Sequence, residues 1–207
     1  MEGKVQLAKQ PFYRDPTITN KHHPKIDGFT NIQVCSNTKK GKELSPMCLH
    51  IVLNNELVIF ENFWQNLKVY SFELDNDGNI LPSYFIRRDK NFKDTKGHRR
   101  VFPKKLLKEK NAKVEFVYYN NKKYNWIDSR KEIYCPMYAE IVKETTYFKQ
   151  LKERFNNGEK LLIIGYDGFN FDPENDDVKY HLEDTSKPVG HEFVICCLLN
   201  GIEPWKK

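Results

Sequence analysis

Residues 49 to 70, Leu49-His50-Ile51-Val52-Leu53-Asn54-Asn55-Glu56-Leu57-Val58-Ile59-Phe60-Glu61-Asn62-Phe63-Trp64-Gln65-Asn66-Leu67-Lys68-Val69-Tyr70, read as a β-hairpin that delivers the chain straight into a helix. Asn54-Asn55 separates two apolar runs, and asparagine tolerates the positive φ angles of a tight turn. From Ile59 onward, at about 100° per residue, Ile59, Phe60, Phe63, Trp64, Leu67 and Tyr70 fall within an arc of roughly 140°. Glu61, Gln65 and Lys68 fall within roughly 60° of one another on the other side. A carboxylate, an amide and an ammonium therefore share one row. Such a row suits a pocket in which a carboxylate works on a phosphate-bearing substrate, the cation holding the anion and keeping the carboxylate charged. The competing account is the solvated face of an ordinary amphipathic helix.

Working outward, residues 1 to 28 are polar and interrupted by Pro11, Pro16 and Pro24, the pattern of an arm laid on the surface or lacking regular structure. Ile32 to Cys35 reads as a short strand. After the Asn76-Asp77-Gly78 turn comes a basic region, then a second hairpin, Val114 to Tyr119 and Lys122 to Asn125 about Asn120-Asn121. The next helix carries Ile127, Tyr134, Tyr138 and Ile141 and should kink near Pro136. Thr145 to Phe155 predicts a further helix that stops at Asn157-Gly158, and Lys160 to Tyr166 a buried strand leading into Asp167-Gly168. A short apolar helix, Val189 to Leu199, follows Pro188. This order implies a single α+β domain over residues 29–207, with helices packed on a small mixed sheet.

At 207 residues the chain is long enough for one hydrophobic core, and aromatics at 14% supply large buried areas. Five cysteines, Cys35, Cys48, Cys135, Cys196 and Cys197, form no C-x-x-C pair, which argues against a disulfide framework and a structural zinc site. No apolar segment approaches the length of a membrane span, so a soluble cytoplasmic protein is expected. The net charge of +6 is concentrated: Arg87 to Lys113 holds twelve basic and three acidic residues, +9, leaving −3 for the rest. A patch of that kind attracts the phosphates of a nucleotide or a nucleic acid, unless it only keeps the surface solvated.

Other candidates are weaker. Asp167 follows the most convincing buried strand, a place where catalytic side chains stand on a rigid base, although Asp-Gly is also an ordinary turn. The acidic run Asp172 to Asp177 lacks the glycine a calcium loop requires. His22-His23 has no third ligand nearby, and Cys48, two residues from His50, reads as a packing residue. Trp126 and Arg130 share a helical face, so an indole could stack on a base beside a guanidinium on phosphate, or the two could stack on each other. His191 and Glu192 open the last helix.

Four segments, Glu43-Leu44-Ser45-Pro46-Met47, Glu61-Asn62-Phe63-Trp64-Gln65-Asn66-Leu67-Lys68, Trp126-Ile127-Asp128-Ser129-Arg130, and Gly190 before an apolar helix, resemble in order and spacing the NADAR or YbiA-like superfamily across roughly residues 29 to 200. The layout also looks like that of uncharacterised phage and large-virus proteins. Pro46-Met47 stands where the family has N-F, and the family's late W-G is not found near Tyr166-Asp167-Gly168. The resemblance implies an N-glycosidase of α+β fold acting on ribose-phosphate compounds, such as riboflavin-pathway intermediates or ADP-ribosylated guanine in nucleic acid. It carries the helix glutamate, glutamine and lysine over to Glu61, Gln65 and Lys68 and an indole to Trp126. In that scheme Glu61 steadies the sugar cation, with Asp167 a second acid or base. Gln65 orients the ribose hydroxyls, Trp126 stacks on the base, and Lys68, Arg130, Arg99 and Arg100 hold phosphate. It needs no metal and no cofactor. Two alternatives remain open: a non-enzymatic nucleic-acid-binding or virion-associated protein, and an inactive NADAR-like fold that senses a nucleotide.

Overall fold

The computed structural model describes residues 3–10, 24–166 and 168–206. The chain divides into two compact units, one built from Met1–Ser45 with Arg130–Lys207, the other from Pro46–Ser129. The expected α+β class holds. Its parallel strand ladders lie in the first unit and its antiparallel ladders in the second, with one isolated antiparallel bridge, Leu7 to Phe171, in the first.

In the first unit, β1 (Lys4–Lys9), β8 (Lys160–Gly165) and β2 (Thr30–Gln33) form a parallel sheet with β8 in the middle. Val5 pairs with Leu161 on one side and Ile32 with Ile163 on the other. Leu161, Leu162, Ile163 and Ile164 are all buried, which explains why the strand is a continuous apolar run: both of its faces are covered. Each such side chain contributes about 1.5–3 kcal/mol of burial free energy. The beginning of the supposed surface arm is part of this core, for Val5 and Leu7 are buried in β1; residues 11–23 lie outside the described residues.

Helices α5 (Cys135–Lys143), α6 (Thr146–Asn156) and α8 (His191–Leu199) pack on one another, and α8 packs on β1 and β8. Every residue of α8 after His191 is buried, Glu192 in its first turn included; from Phe193 onward the helix is apolar all round, which fits burial on every side. Thr145 caps α6 by accepting a hydrogen bond from the Phe148 amide, 3.2 Å. The helix expected to kink near Pro136 carries a π-helical turn over Arg130–Tyr134 that runs directly into α5, of which Pro136 is the second residue.

In the second unit, β3 (His50–Leu53) and β4 (Glu56–Ile59) make the expected hairpin, with Asn54 and Asn55 at φ 50° and 66°. The chain passes directly into α1 (Phe60–Asn66) and then β5 (Lys68–Tyr70). The helix is thus shorter than its pattern suggests, and Lys68 opens a strand. Val69 and Tyr70 favour extended backbone, and β5 pairs with β6 (Val114–Tyr119), Lys68 opposite Val117. β7 (Lys122–Tyr124) completes a three-stranded antiparallel sheet through the Asn120-Asn121 turn.

Two helices, α2 (Pro82–Phe92) and α3 (Lys104–Glu109), occupy the basic region. Its first member, Arg87, is structural: the guanidinium donates to both Glu73 carboxylate oxygens at 2.7 and 3.0 Å, to Asn66 Oδ1 at 2.7 Å and to the Lys68 carbonyl at 3.2 Å. This clamp fixes the start of β5. Among the described residues no helix is long and apolar enough to cross a membrane.

Candidate active site

The row read on the helix is a hydrogen-bonded chain. Gln65 Nε2 donates to Glu61 Oε1 at 2.8 Å, and Lys68 Nζ donates to Gln65 Oε1 at 2.7 Å. Gln65 therefore links an anion to a cation through the two ends of one amide. Lys68 is only 9% exposed, and its ammonium lies 5.3 Å from the ring centres of both Trp64 and Trp126. The two indoles are 5.8 Å apart and inclined at 39°; Trp126 stands at the start of α4 (Trp126–Ser129). Burial lowers the Lys68 pKa to about 8, and the negative charge of Glu61 opposes part of that fall. Near neutral pH a fraction of this amine is uncharged, so it can either hold an anion or offer a lone pair.

Local structure explains why Glu61 is fixed. The first amides of α1 are already bonded, Phe60 N–H to the Leu49 carbonyl at 2.8 Å and Glu61 N–H to the Pro46 carbonyl at 2.9 Å. The hairpin and the Pro46 segment thereby set the rotation of the helix, and Glu61 and Gln65 are left half-buried. Asn62, fully buried, performs a task that sequence reading missed. Its side chain donates to the carbonyls of Asp94 and Lys96 and accepts from the His98 amide at 2.8 Å, so it anchors the loop that precedes Arg99 and Arg100. Asn62 falls outside the roughly 140° apolar arc, beside a second buried amide, Asn66, so helical periodicity did not single it out. Gly97 of that loop passes so close to Met47 that a Cβ there would come within 2.8 Å of the Met47 carbonyl oxygen.

The other candidates separate. Arg99 and Arg100 are exposed, and neither forms an ion pair with a described residue. Arg130 belongs to the first unit and is 2% exposed; its guanidinium donates to the carbonyls of Leu182, Asp184 and Lys187 at 3.2, 2.8 and 2.6 Å. Those bonds fasten the segment after α7 (Val178–Glu183), a structural task in place of the phosphate contact expected of it. Asp167 and the His22-His23 pair lie outside the described residues. Cys48 is exposed and precedes the first residue of β3, so the packing role read for it does not hold. Glu192 is buried in the first unit, where its carboxylate lies 3.1 Å from His191 Nδ1 while His191 Nε2 faces the Val34 carbonyl at 2.9 Å. Asp172 of the acidic run pairs with Lys4 at 3.2 Å. Among the described residues no group of three or more His, Cys, Asp and Glu side chains is placed to hold a metal ion.

A cleft of about 550 Å³ opens in the second unit on the opposite side of α1, where Phe63 and Leu67 line it and Glu61, Gln65 and Lys68 do not. No family model, curated protein or solved structure matches this chain.

Proposed function

We propose that this chain is an N-glycoside hydrolase that cleaves a ribose C1′–N bond in ADP-ribose-like or nucleotide-derived substrates, ADP-ribosylated guanine in nucleic acid among them. The observation that carries the reading is the Glu61–Gln65–Lys68 chain beneath two indoles. As the C1′–N bond lengthens, its electron pair passes to the base nitrogen and positive charge develops on the sugar. The Glu61 carboxylate stabilises that charge and accepts a proton from the water that adds to C1′, while the departing nitrogen takes up a proton from solvent and Glu61 then releases its own to solvent. Lys68 holds phosphate, Gln65 exchanges its present partners for ribose hydroxyls, and the Trp126 indole stacks on the base. Arg99 and Arg100 extend the phosphate contacts. Such substrates place the protein in the cytoplasm. The resemblance to NADAR proteins supports the same reading.

The test is release of free base from ADP-ribosylated guanine oligonucleotides and from nucleotide N-glycosides. Glu61→Gln, with the fold intact, is expected to lower turnover by about 10²-fold or more. Undiminished turnover in that variant removes Glu61 from the mechanism, and binding of ADP-ribose without hydrolysis by the wild type identifies a sensor instead. A second reading, nucleic-acid binding without catalysis, is favoured by the exposed cations Arg99, Arg100, Lys104, Lys108 and Lys110. Its mark is affinity for DNA or RNA that falls steeply with salt and does not change in Glu61→Gln.

A further inference from the structure

The cleft behind α1 has a chemistry of its own. Its volume of about 550 Å³ lies within the range of small-molecule sites. Phe63, fully buried, braces the two aromatic walls from behind: its ring centre is 6.0 Å from Phe92 and 5.5 Å, edge to face, from Tyr119. Phe92 and Tyr119 themselves are half-buried and line the opening. The ionised residues at the cleft cancel. Arg88 pairs with Asp89 at 2.9 Å, and the remaining two, Lys93 and Glu56, carry opposite signs. An anionic ligand entering here meets as many carboxylates as cations, so it gains no net attraction.

The two hairpin turns reach the same cleft and place Asn54 and Asn120 on its lining. Both adopt positive φ, 50° and 46°, where glycine would sit without steric cost. What asparagine adds at each turn is a side-chain amide, with two donors and an acceptor. Aromatic walls, the amides of Asn54, Asn120 and Asn121, and zero net charge match a flat, uncharged heterocycle with a hydrogen-bonding edge.

We propose that this cleft binds an uncharged nucleoside, its base against Phe92 and Tyr119 and its polar edge on the amides of Asn54 and Asn120. The site stands apart from the Glu61 row and does not depend on the hydrolase reading. The experiment is calorimetric and NMR titration of the full chain with adenosine, guanosine, cytidine and uridine, each compared with its 5′-monophosphate. At least one nucleoside should bind saturably and more tightly than its monophosphate, with shifts confined to the cleft. The double variant Asn54→Gly/Asn120→Gly keeps the turns and should weaken that binding tenfold or more at an undiminished melting temperature. Phe92→Leu, which removes the aromatic wall from the end of α2, should weaken it comparably, and Glu61→Gln should leave it unchanged. The proposal is overturned if no nucleoside shifts the cleft residues, if the monophosphates shift those same residues at lower concentration than the nucleosides do, or if binding survives in the folded glycine and leucine variants. Loss of binding in Glu61→Gln would equally overturn it, whereas failure of hydrolysis alone would count only against the preceding reading.

Discussion

Two buried cations, one in each unit, are held in opposite ways. Arg130 is 2% exposed and its guanidinium is fixed by three backbone carbonyls. Lys68 is 9% exposed, yet among the described residues its ammonium donates one hydrogen bond, to an amide oxygen, and otherwise faces two aromatic rings. Backbone carbonyls cannot be displaced without unfolding the segment that carries them, whereas an amide side chain and indole faces can be exchanged for a ligand. A fully tied cation is architecture, and a loosely tied one is available for chemistry.

The sharpest way to break this contrast is to replace each cation with an apolar side chain of similar length. Arg130→Met leaves the carbonyls of Leu182, Asp184 and Lys187 without their donor, and the expected loss is about 3–5 kcal/mol in denaturant unfolding. A loss below about 1 kcal/mol would place Arg130 with Lys68. Lys68→Met should instead raise stability at pH 7 by about 1–2 kcal/mol, since it removes a buried charge held at an energetic cost, and on the proposed hydrolase reading it should abolish turnover. The sign of the pH effect follows. The folded pKa of about 8 lies below the ordinary 10.5, so between those values the unfolded chain binds more protons and the Lys68 contribution grows more favourable as pH rises. Below about pH 8 both states are protonated and the full cost is present. The stability advantage of Lys68→Met should therefore shrink from pH 8 to pH 10.5; a constant gap would mean that Lys68 titrates normally. The smallest expected effect is on the titration itself. Glu61→Gln removes the nearby anion and should move the Lys68 midpoint, followed by NMR of the side chain, below about 8; an unchanged midpoint would show that the two groups do not share a field.

Local rules made both hairpins legible, because asparagine pairs in tight turns carry their own backbone preference. The buried strand β8 and the capped helix α6 were equally plain. Lys68 was placed on the correct face but on the wrong element: its register with Val117 depends on a strand some fifty residues away, which helical periodicity does not report. The N-terminal strand was overlooked although Val5-Gln6-Leu7 alternates, since proline-rich sequence downstream obscured a short period-two signal. Helix α2 was hidden by its charge, although Pro82 at its entry and Tyr84, Arg88 and Phe92 at helical spacing mark it. For the site, the Glu61 row was readable because its members are neighbours in sequence. The true partners of Arg130, more than fifty residues downstream, were not.

The order of strands in the parallel sheet has a consequence for biosynthesis. β1 and β2 find their common partner only in β8, and the whole contiguous second unit is translated in between. At roughly 5–20 residues per second, a ribosome leaves these early strands unmatched for roughly 7–30 seconds, while the hairpins and α1 can already close. Chaperone dependence during synthesis should therefore track the first strands, and a circular permutant that begins at Pro46 would bring all three together in quick succession.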